Sequence, residues 1–112
     1  FHLENPQGVS MNFGLVVTDE RQSQHVTDLM QAALARDWNV RCFLTDNGVN
    51  LIRNEQFIKI ADQQRVHLSV CEHSVERVCP EVDLKALEDV VIVGGQYQNA
   101  ELVRHCDKVL VF

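Results

Sequence analysis

The stretch Arg65-Val66-His67-Leu68-Ser69-Val70-Cys71 decides the fold of this 112-residue chain. Its apolar and β-branched residues predict a strand over 66–70, because such runs are typical of strands buried in a parallel sheet. The strand runs directly into Cys71 and then into a helix-compatible segment, which Pro80 is expected to end. Cys71 is therefore predicted to lie where a strand ends and a helix begins.

Strands and helices alternate on both sides of this stretch. Short apolar runs predict four further strands, at 13–17, 40–44, 90–93 and 109–112. Helices are predicted between them, at 57–64, 84–88 and 100–106, and around the apolar residues Val26, Leu29, Met30, Ala33 and Leu34 with Ser23 as N-cap. This alternation predicts an α/β domain with a mostly parallel five-stranded sheet and helices on both faces.

The composition indicates one globular domain. Hydrophobic residues make up 46% and charged residues 23% of the chain, and 112 residues suffice for a single core. Residues 1–10 show no apolar periodicity and precede Met11, so they are expected to be a leader or a disordered extension. The folded domain is predicted over residues 11–112.

Net charge and hydropathy narrow the functional classes. A formal charge of −6 disfavours direct nucleic-acid binding, which needs a basic surface to meet phosphates. No apolar run approaches the roughly 20 residues that cross a bilayer, and no signal-peptide pattern is present. A soluble, cytoplasmic protein without membrane contact is expected.

The four cysteines have no regular spacing and are expected to be thiols in a reducing cytosol. Cys42 and Cys106 lie in apolar patterns and are interpreted as core residues. A zinc site would use Cys71, His73 and Cys79 as ligands, with His67 as an additional candidate. Neither a C-x-x-C pair nor two histidines four residues apart is present, so no metal is expected.

The segment from Arg65 to Cys79 resembles the DsrE/DsrF-like sulfur-relay family, and its TusD-like members in particular, which place a sulfur-accepting cysteine directly after the third strand. Arg77 matches the first residue of an Arg-Arg-Gly ending that often follows this cysteine. Val78 and Cys79 depart from that ending, and they remove a positive charge and add a thiol. The resemblance extends to 11–18, 43–49, Gly95, Ala100-Glu101 and 106–112.

The resemblance implies a flavodoxin-like domain in which Cys71 accepts sulfur as a persulfide and passes it to a partner thiol, in tRNA thiolation or dissimilatory sulfur oxidation. It further implies donor and acceptor proteins as partners, no cofactor, and a homo- or hetero-oligomer, either a trimer or a hexamer. The activity would be that of a sulfurtransferase that carries persulfide. A noncatalytic subunit of such a hetero-oligomer is the main alternative.

The chemistry of Cys71 agrees with this expectation. A helix N-terminus favours the thiolate, which is the nucleophilic form. Arg77 or a protonated His73 could assist, whereas the adjacent carboxylate of Glu72 would disfavour the thiolate. Without the resemblance, an inert buried cysteine at the end of a strand would be the simpler interpretation.

Cys79 suggests a thiol redox protein in which it forms a disulfide with Cys71. If 72–79 is helical, a rise of ~1.5 Å per residue separates the two cysteines by roughly 12 Å. A disulfide allows only about 7 Å between Cα atoms. A thiol at the end of a helix is therefore the preferred interpretation of Cys79.

Overall fold

Five parallel strands form one sheet in the order β4-β3-β2-β1-β5 in the computed structural model, which describes residues 11–112. Every pair of neighbouring strands in it is parallel. The predicted α/β class with a five-stranded sheet is therefore confirmed, and the flavodoxin-like expectation agrees with it. The strands are β1 (Asn12–Val17), β2 (Asn39–Leu44), β3 (Val66–Cys71), β4 (Val91–Gly94) and β5 (Lys108–Val111).

Helices connect consecutive strands, as parallel pairing requires. They are α1 (Ser23–Ala35), α2 (Glu55–Ala61), α3 (Glu72–Val78) and α4 (Gln96–His105). Short 3₁₀ segments lie at Glu20–Gln22, Asp46–Arg53 and Leu84–Leu87. The predicted elements are all present in order, with bounds that differ by a few residues.

The expectation that Ser23 caps α1 is wrong. Ser23 is the first residue of the helix, and Gln22 before it makes no capping bond with its side chain. A 3₁₀ segment precedes α1, and its N-cap is Asp19, whose carboxylate accepts a hydrogen bond from the Arg21 N–H. The additional turn therefore moves the capped end of the helical stretch four residues toward the N-terminus.

Alternating residues of the strands divide the core between the two faces of the sheet. On the first face Leu15, Val17, Cys42, Leu44 and Val70 pack with side chains of α1, α2 and α3. Among residues 11–112, α4 is the element that covers the second face, and its Leu102 joins Val16 and Phe43 in a smaller cluster. Most of the hydrophobic core therefore lies on the first face.

The chain changes direction across the sheet after β4. Strands β1 to β4 are added one beside the next, whereas β5 returns to the far side of β1. β1 therefore lies between β2 and β5, and β4 forms one edge of the sheet. The part of the second face that residues 11–112 leave uncovered lies over β3 and β4, where Ile92 is 46% exposed.

The predicted leader, residues 1–10, lies outside the described part of the chain. Over residues 11–112, none of the helices has the length and apolar character needed to cross a membrane.

Candidate functional site

Cys71 is the last residue of β3 and the N-cap residue of α3. It pairs with Gly94 at the end of β4, which places it at the carboxyl edge of the sheet. This is the edge at which open α/β sheets bind ligands. Its side chain is half-buried and packs beside the cluster of Val16, Phe43 and Leu102. The predicted position of Cys71 is therefore the observed one.

Opposing influences act on the Cys71 thiol. Burial raises its pKa, whereas hydrogen bonds from the Ser74 hydroxyl, the Ser74 N–H, the Thr45 hydroxyl and the His73 N–H lower it. Together the hydrogen bonds prevail, and the pKa lies below the ordinary value of 9.0. Donors that point at a sulfur favour its charged form, so the site stabilises the thiolate.

Ser74 joins Cys71 to the loop that follows β2. Its hydroxyl oxygen accepts a hydrogen bond from the Asp46 N–H at 2.9 Å and lies 3.3 Å from the Thr45 Oγ. Asp46 has a φ of 48°, a left-handed conformation that is uncommon for residues other than glycine. Ser74 itself is only 3% exposed. The hydroxyl is therefore held in place inside the protein next to the thiol.

Arg77 lies on the outer side of this arrangement. Its Nη2 donates to Asp46 Oδ1 at 3.0 Å, and both side chains are 63% exposed. An ion pair this exposed contributes little to stability. In this structure, Arg77 contacts the loop that holds Ser74.

The His73 side chain is exposed, and it is the backbone N–H of His73, rather than its ring, that lowers the pKa of the Cys71 thiol. Glu72 is also exposed and begins α3. Both residues therefore flank the thiol on the solvent side.

Cys79 lies in different surroundings. It is the C-cap residue of α3, it is fully buried, and it belongs to the main core on the first face of the sheet. Burial raises the pKa of its thiol. Because residues 72–78 are helical, the separation expected between Cys71 and Cys79 stands, and Cys79 is a weak nucleophile where it lies.

Of the remaining cysteines, Cys42 is a core residue, as expected, whereas Cys106 is only half-buried and lies beside the core. Burial raises the pKa of Cys42 to about 12. Burial also raises the pKa of Cys106, whose side chain packs beside the second-face cluster. Within residues 11–112, no group of three histidine, cysteine, aspartate or glutamate side chains is arranged to hold a metal ion.

His67 lies on β3 away from the thiol. It lines a small cavity on the second face together with Arg41, Ser69, Ile92, Gln98 and Leu102. Burial and the neighbouring Arg41 guanidinium lower the pKa of His67. The structure therefore separates His67 from the other residues considered as zinc ligands.

Sequence reasoning did not identify Ser74 and Thr45. Ser74 is the third residue of α3, a position from which a side chain can reach back to the N-cap residue. That spacing from Cys71 was a usable signal. Thr45 is 26 residues before Cys71 in the chain, and only the pairing of β2 with β3 brings its hydroxyl to the thiol.

The fold and the site define a parallel α/β domain with a thiolate-stabilising cysteine at the carboxyl edge of its sheet. The family model of the DsrE/DsrF-like family matches residues 11–112. The chain belongs to the DsrE/DsrF-like family. No curated protein and no solved structure gives a significant match to it.

Proposed function

We propose that this protein is a sulfur carrier that accepts sulfur as a persulfide on Cys71 and passes it to the thiol of a partner protein. Family membership supports a general role in sulfur relay. The observation that carries the proposal is the position of Cys71 at the carboxyl edge of the sheet and at the start of α3, where the neighbouring Ser74, Thr45 and His73 lower the pKa of its thiol. A carrier cysteine must be a thiolate to attack a donor persulfide.

Accessibility favours the same cysteine. Cys71 is half-buried at an edge of the sheet, whereas Cys42 and Cys79 are buried and have raised pKa values. Neighbouring side chains at the edge, Glu72 and His73, are exposed and would be the first to meet an approaching protein. A partner thiol could therefore reach Cys71 without unfolding the domain.

The transfer needs only thiols and persulfides, so we propose donor and acceptor proteins as partners and no cofactor. The pathway is tRNA thiolation or dissimilatory sulfur oxidation, and the site is proposed to operate in the cytoplasm. An oligomer, either a trimer or a hexamer, remains the expected state. The exposed Ile92, Tyr97, Val103 and Val111 are consistent with further burial by neighbouring subunits.

A noncatalytic structural subunit remains the alternative. The hydrogen bonds at Cys71 favour the carrier over this role, because a purely structural cysteine has no need of a stabilised thiolate. A redox protein using Cys71 and Cys79 is disfavoured by the helix between them and by the burial of Cys79.

Intact mass spectrometry after treatment with a small-molecule persulfide donor tests the proposal. We expect a gain of one sulfur atom, reversed by reductant and located on the peptide that contains Cys71. A noncatalytic subunit would gain nothing. A redox protein would instead lose two hydrogens and form a peptide pair linked through Cys71 and Cys79, and that result would overturn the carrier.

A further inference from the structure

The Ser74 hydroxyl is fixed in position, with a hydrogen left to donate. Its oxygen already accepts the Asp46 N–H at 2.9 Å, so its own hydrogen remains available for donation. Thr45 Oγ lies 3.3 Å away, and the hydroxyls of Ser74 and Thr45 both lower the pKa of the Cys71 thiol. Ser74 is only 3% exposed and is the third residue of the helix whose N-cap is Cys71. The hydroxyl is therefore placed to act as a donor to the inner sulfur of any group carried on Cys71.

The charge on this inner sulfur differs between the empty and loaded forms. In the thiolate the negative charge lies on Cys71 Sγ. In the persulfide Sγ is bonded to a second sulfur, and any charge lies on that outer atom. Hydrogen bonds to a charged acceptor are the stronger ones. Donors fixed on Sγ therefore stabilise the empty thiolate more than they stabilise the loaded persulfide.

Delivery of sulfur regenerates this thiolate. An acceptor thiolate attacks the outer sulfur, the new S–S bond forms on the acceptor, and the electron pair of the old S–S bond leaves with Cys71 Sγ. The proton of the persulfide stays on the outer sulfur. The acceptor sulfur is oxidised by as much as Cys71 Sγ is reduced, so the transfer needs no external oxidant or reductant. A thiol with a lower pKa leaves faster in such exchanges.

We propose that Ser74 is a positioning residue that makes Cys71 a good leaving group and thereby biases the carrier toward delivering sulfur rather than retaining it. This inference rests on the proposed function and adds that the site favours delivery of the sulfur over its retention. Thr45 acts in the same sense as a second hydroxyl donor. Asp46, in its left-handed conformation, orients Ser74 through its N–H.

Loading depends on these donors in the opposite sense. Thiolate nucleophilicity falls as the thiol pKa falls. At a pH where the thiol is fully ionised, a thiolate of lower pKa therefore attacks a donor persulfide more slowly. A lowered pKa helps loading only at pH values where it increases the thiolate fraction. In alkaline solution, loss of the Ser74 hydroxyl should therefore slow delivery without slowing uptake.

The test compares wild type with Ser74→Ala, and uses Ser74→Thr as the conservative variant that keeps the hydroxyl. Ser69→Ala is the matched control, since this serine is also buried but its hydroxyl donates to the Cys42 carbonyl at 3.4 Å. Each protein is loaded with a small-molecule persulfide in alkaline buffer and freed of excess donor. Cyanide is then added, and thiocyanate release is followed in a single turnover.

We expect Ser74→Ala to release thiocyanate at least ~3-fold more slowly than wild type, from the fractional dependence of exchange rates on thiol acidity. Its loading rate in the same buffer should be equal or higher, and Ser74→Thr should restore release. Ser69→Ala should match wild type. Equal release from Ser74→Ala and wild type, or equal slowing of loading and release, would overturn the inference.

The proposed function and the inference can fail separately. If wild type takes up no sulfur, the carrier fails. Whether Ser74 stabilises the Cys71 thiolate is then decided by the pH dependence of Cys71 alkylation, which should shift upward in Ser74→Ala. An unshifted profile would refute it. If Ser74→Ala does not fold, Thr45→Val removes the other hydroxyl donor and should change release in the same direction.

Discussion

The Asp46 N–H donates a hydrogen bond of 2.9 Å to the Ser74 hydroxyl and so connects the loop after β2 to the first turn of α3. The two residues are 28 positions apart in the chain, and they meet because β2 and β3 are neighbours in the sheet. The surroundings of Cys71 are therefore built by two adjacent strand ends, and the helix N-terminus supplies only some of the donors.

Cys71→Ser should abolish sulfur uptake, whereas Cys79→Ser should retain most of it. Serine approximates the size of cysteine but cannot form a persulfide, and only Cys71 has hydrogen bonds that stabilise a thiolate. Uptake is measured as the reductant-reversible gain of one sulfur atom by intact mass, with circular dichroism to check the fold. If the Cys79 variant lost uptake and the Cys71 variant kept it, Cys79 rather than Cys71 would be the thiol that carries sulfur.

The thiols should differ in their order of alkylation as pH rises. The pKa of Cys71 is below 9.0, burial raises those of Cys79 and Cys106, and that of Cys42 is raised to about 12. Because the thiolate is the reacting form, Cys71 should reach half its limiting rate at the lowest pH. Iodoacetamide labelling with peptide mass analysis measures this order, and first reaction at any other cysteine contradicts it.

Cys79→Ser should also cost stability, even where it leaves uptake intact. The side chain is 0% exposed in the apolar core, so the new hydroxyl loses its water. The cost is about 1–3 kcal/mol in the free energy of unfolding. Urea denaturation measures it, and Cys79→Ala, which adds no polar group, separates desolvation of the hydroxyl from loss of the sulfur. An unchanged midpoint in Cys79→Ser would argue that Cys79 is accessible to solvent.

Gly48→Ala should perturb the fold and the site together. A methyl group at this position would overlap the Val17 carbonyl oxygen, while the Gly48 N–H bonds to the Thr18 and Thr45 carbonyls. The overlap involves backbone atoms, so the loop must move, at a cost of roughly 1–3 kcal/mol or more. Since that loop carries Thr45 and Asp46, the Cys71 alkylation profile should shift upward as stability falls. Gly95→Ala is the comparison, because a methyl group there meets nothing within 4 Å.

The protein should be an oligomer in solution. Exposed Ile92, Tyr97 and Val103 lie on β4 and α4, next to the part of the second face that the described residues leave uncovered. Light scattering at tens of micromolar measures the mass, and Tyr97→Glu should weaken assembly if this surface is the interface. A monomer at that concentration contradicts the prediction.

The order of elements could be predicted from sequence because each strand is a short apolar run and the first helix shows a clear apolar periodicity. The place of α3 follows instead from the helix-compatible stretch after Cys71, which Pro80 ends. Local patterns could not predict the 3₁₀ segment before α1, and Ser23 was therefore given a capping role that belongs to Asp19. A single extra turn is enough to change which residue caps a helix.

Only those features of the site that depend on residues close together in the sequence could be predicted. The position of Cys71 follows from a strand running into a helix. The hydroxyl of Thr45 could not be assigned to the same site, because its approach to Cys71 depends on β2 lying next to β3. The interaction of Arg77 with Asp46 likewise joins residues 31 positions apart, which spacing alone does not indicate.

The position of β1 between β2 and β5 affects the order in which the strands of one chain come together during folding. The Thr18 hydroxyl donates to the Phe112 carbonyl, and the Asn12 N–H donates to the Asp107 carboxylate, across 94 and 95 positions of the chain. Contacts so distant in sequence close the longest loops and are expected to form late. Until β5 arrives, β1 keeps one unpaired edge, which another chain could extend. A nascent polypeptide is therefore prone to aggregate in the interval before β5 joins the sheet.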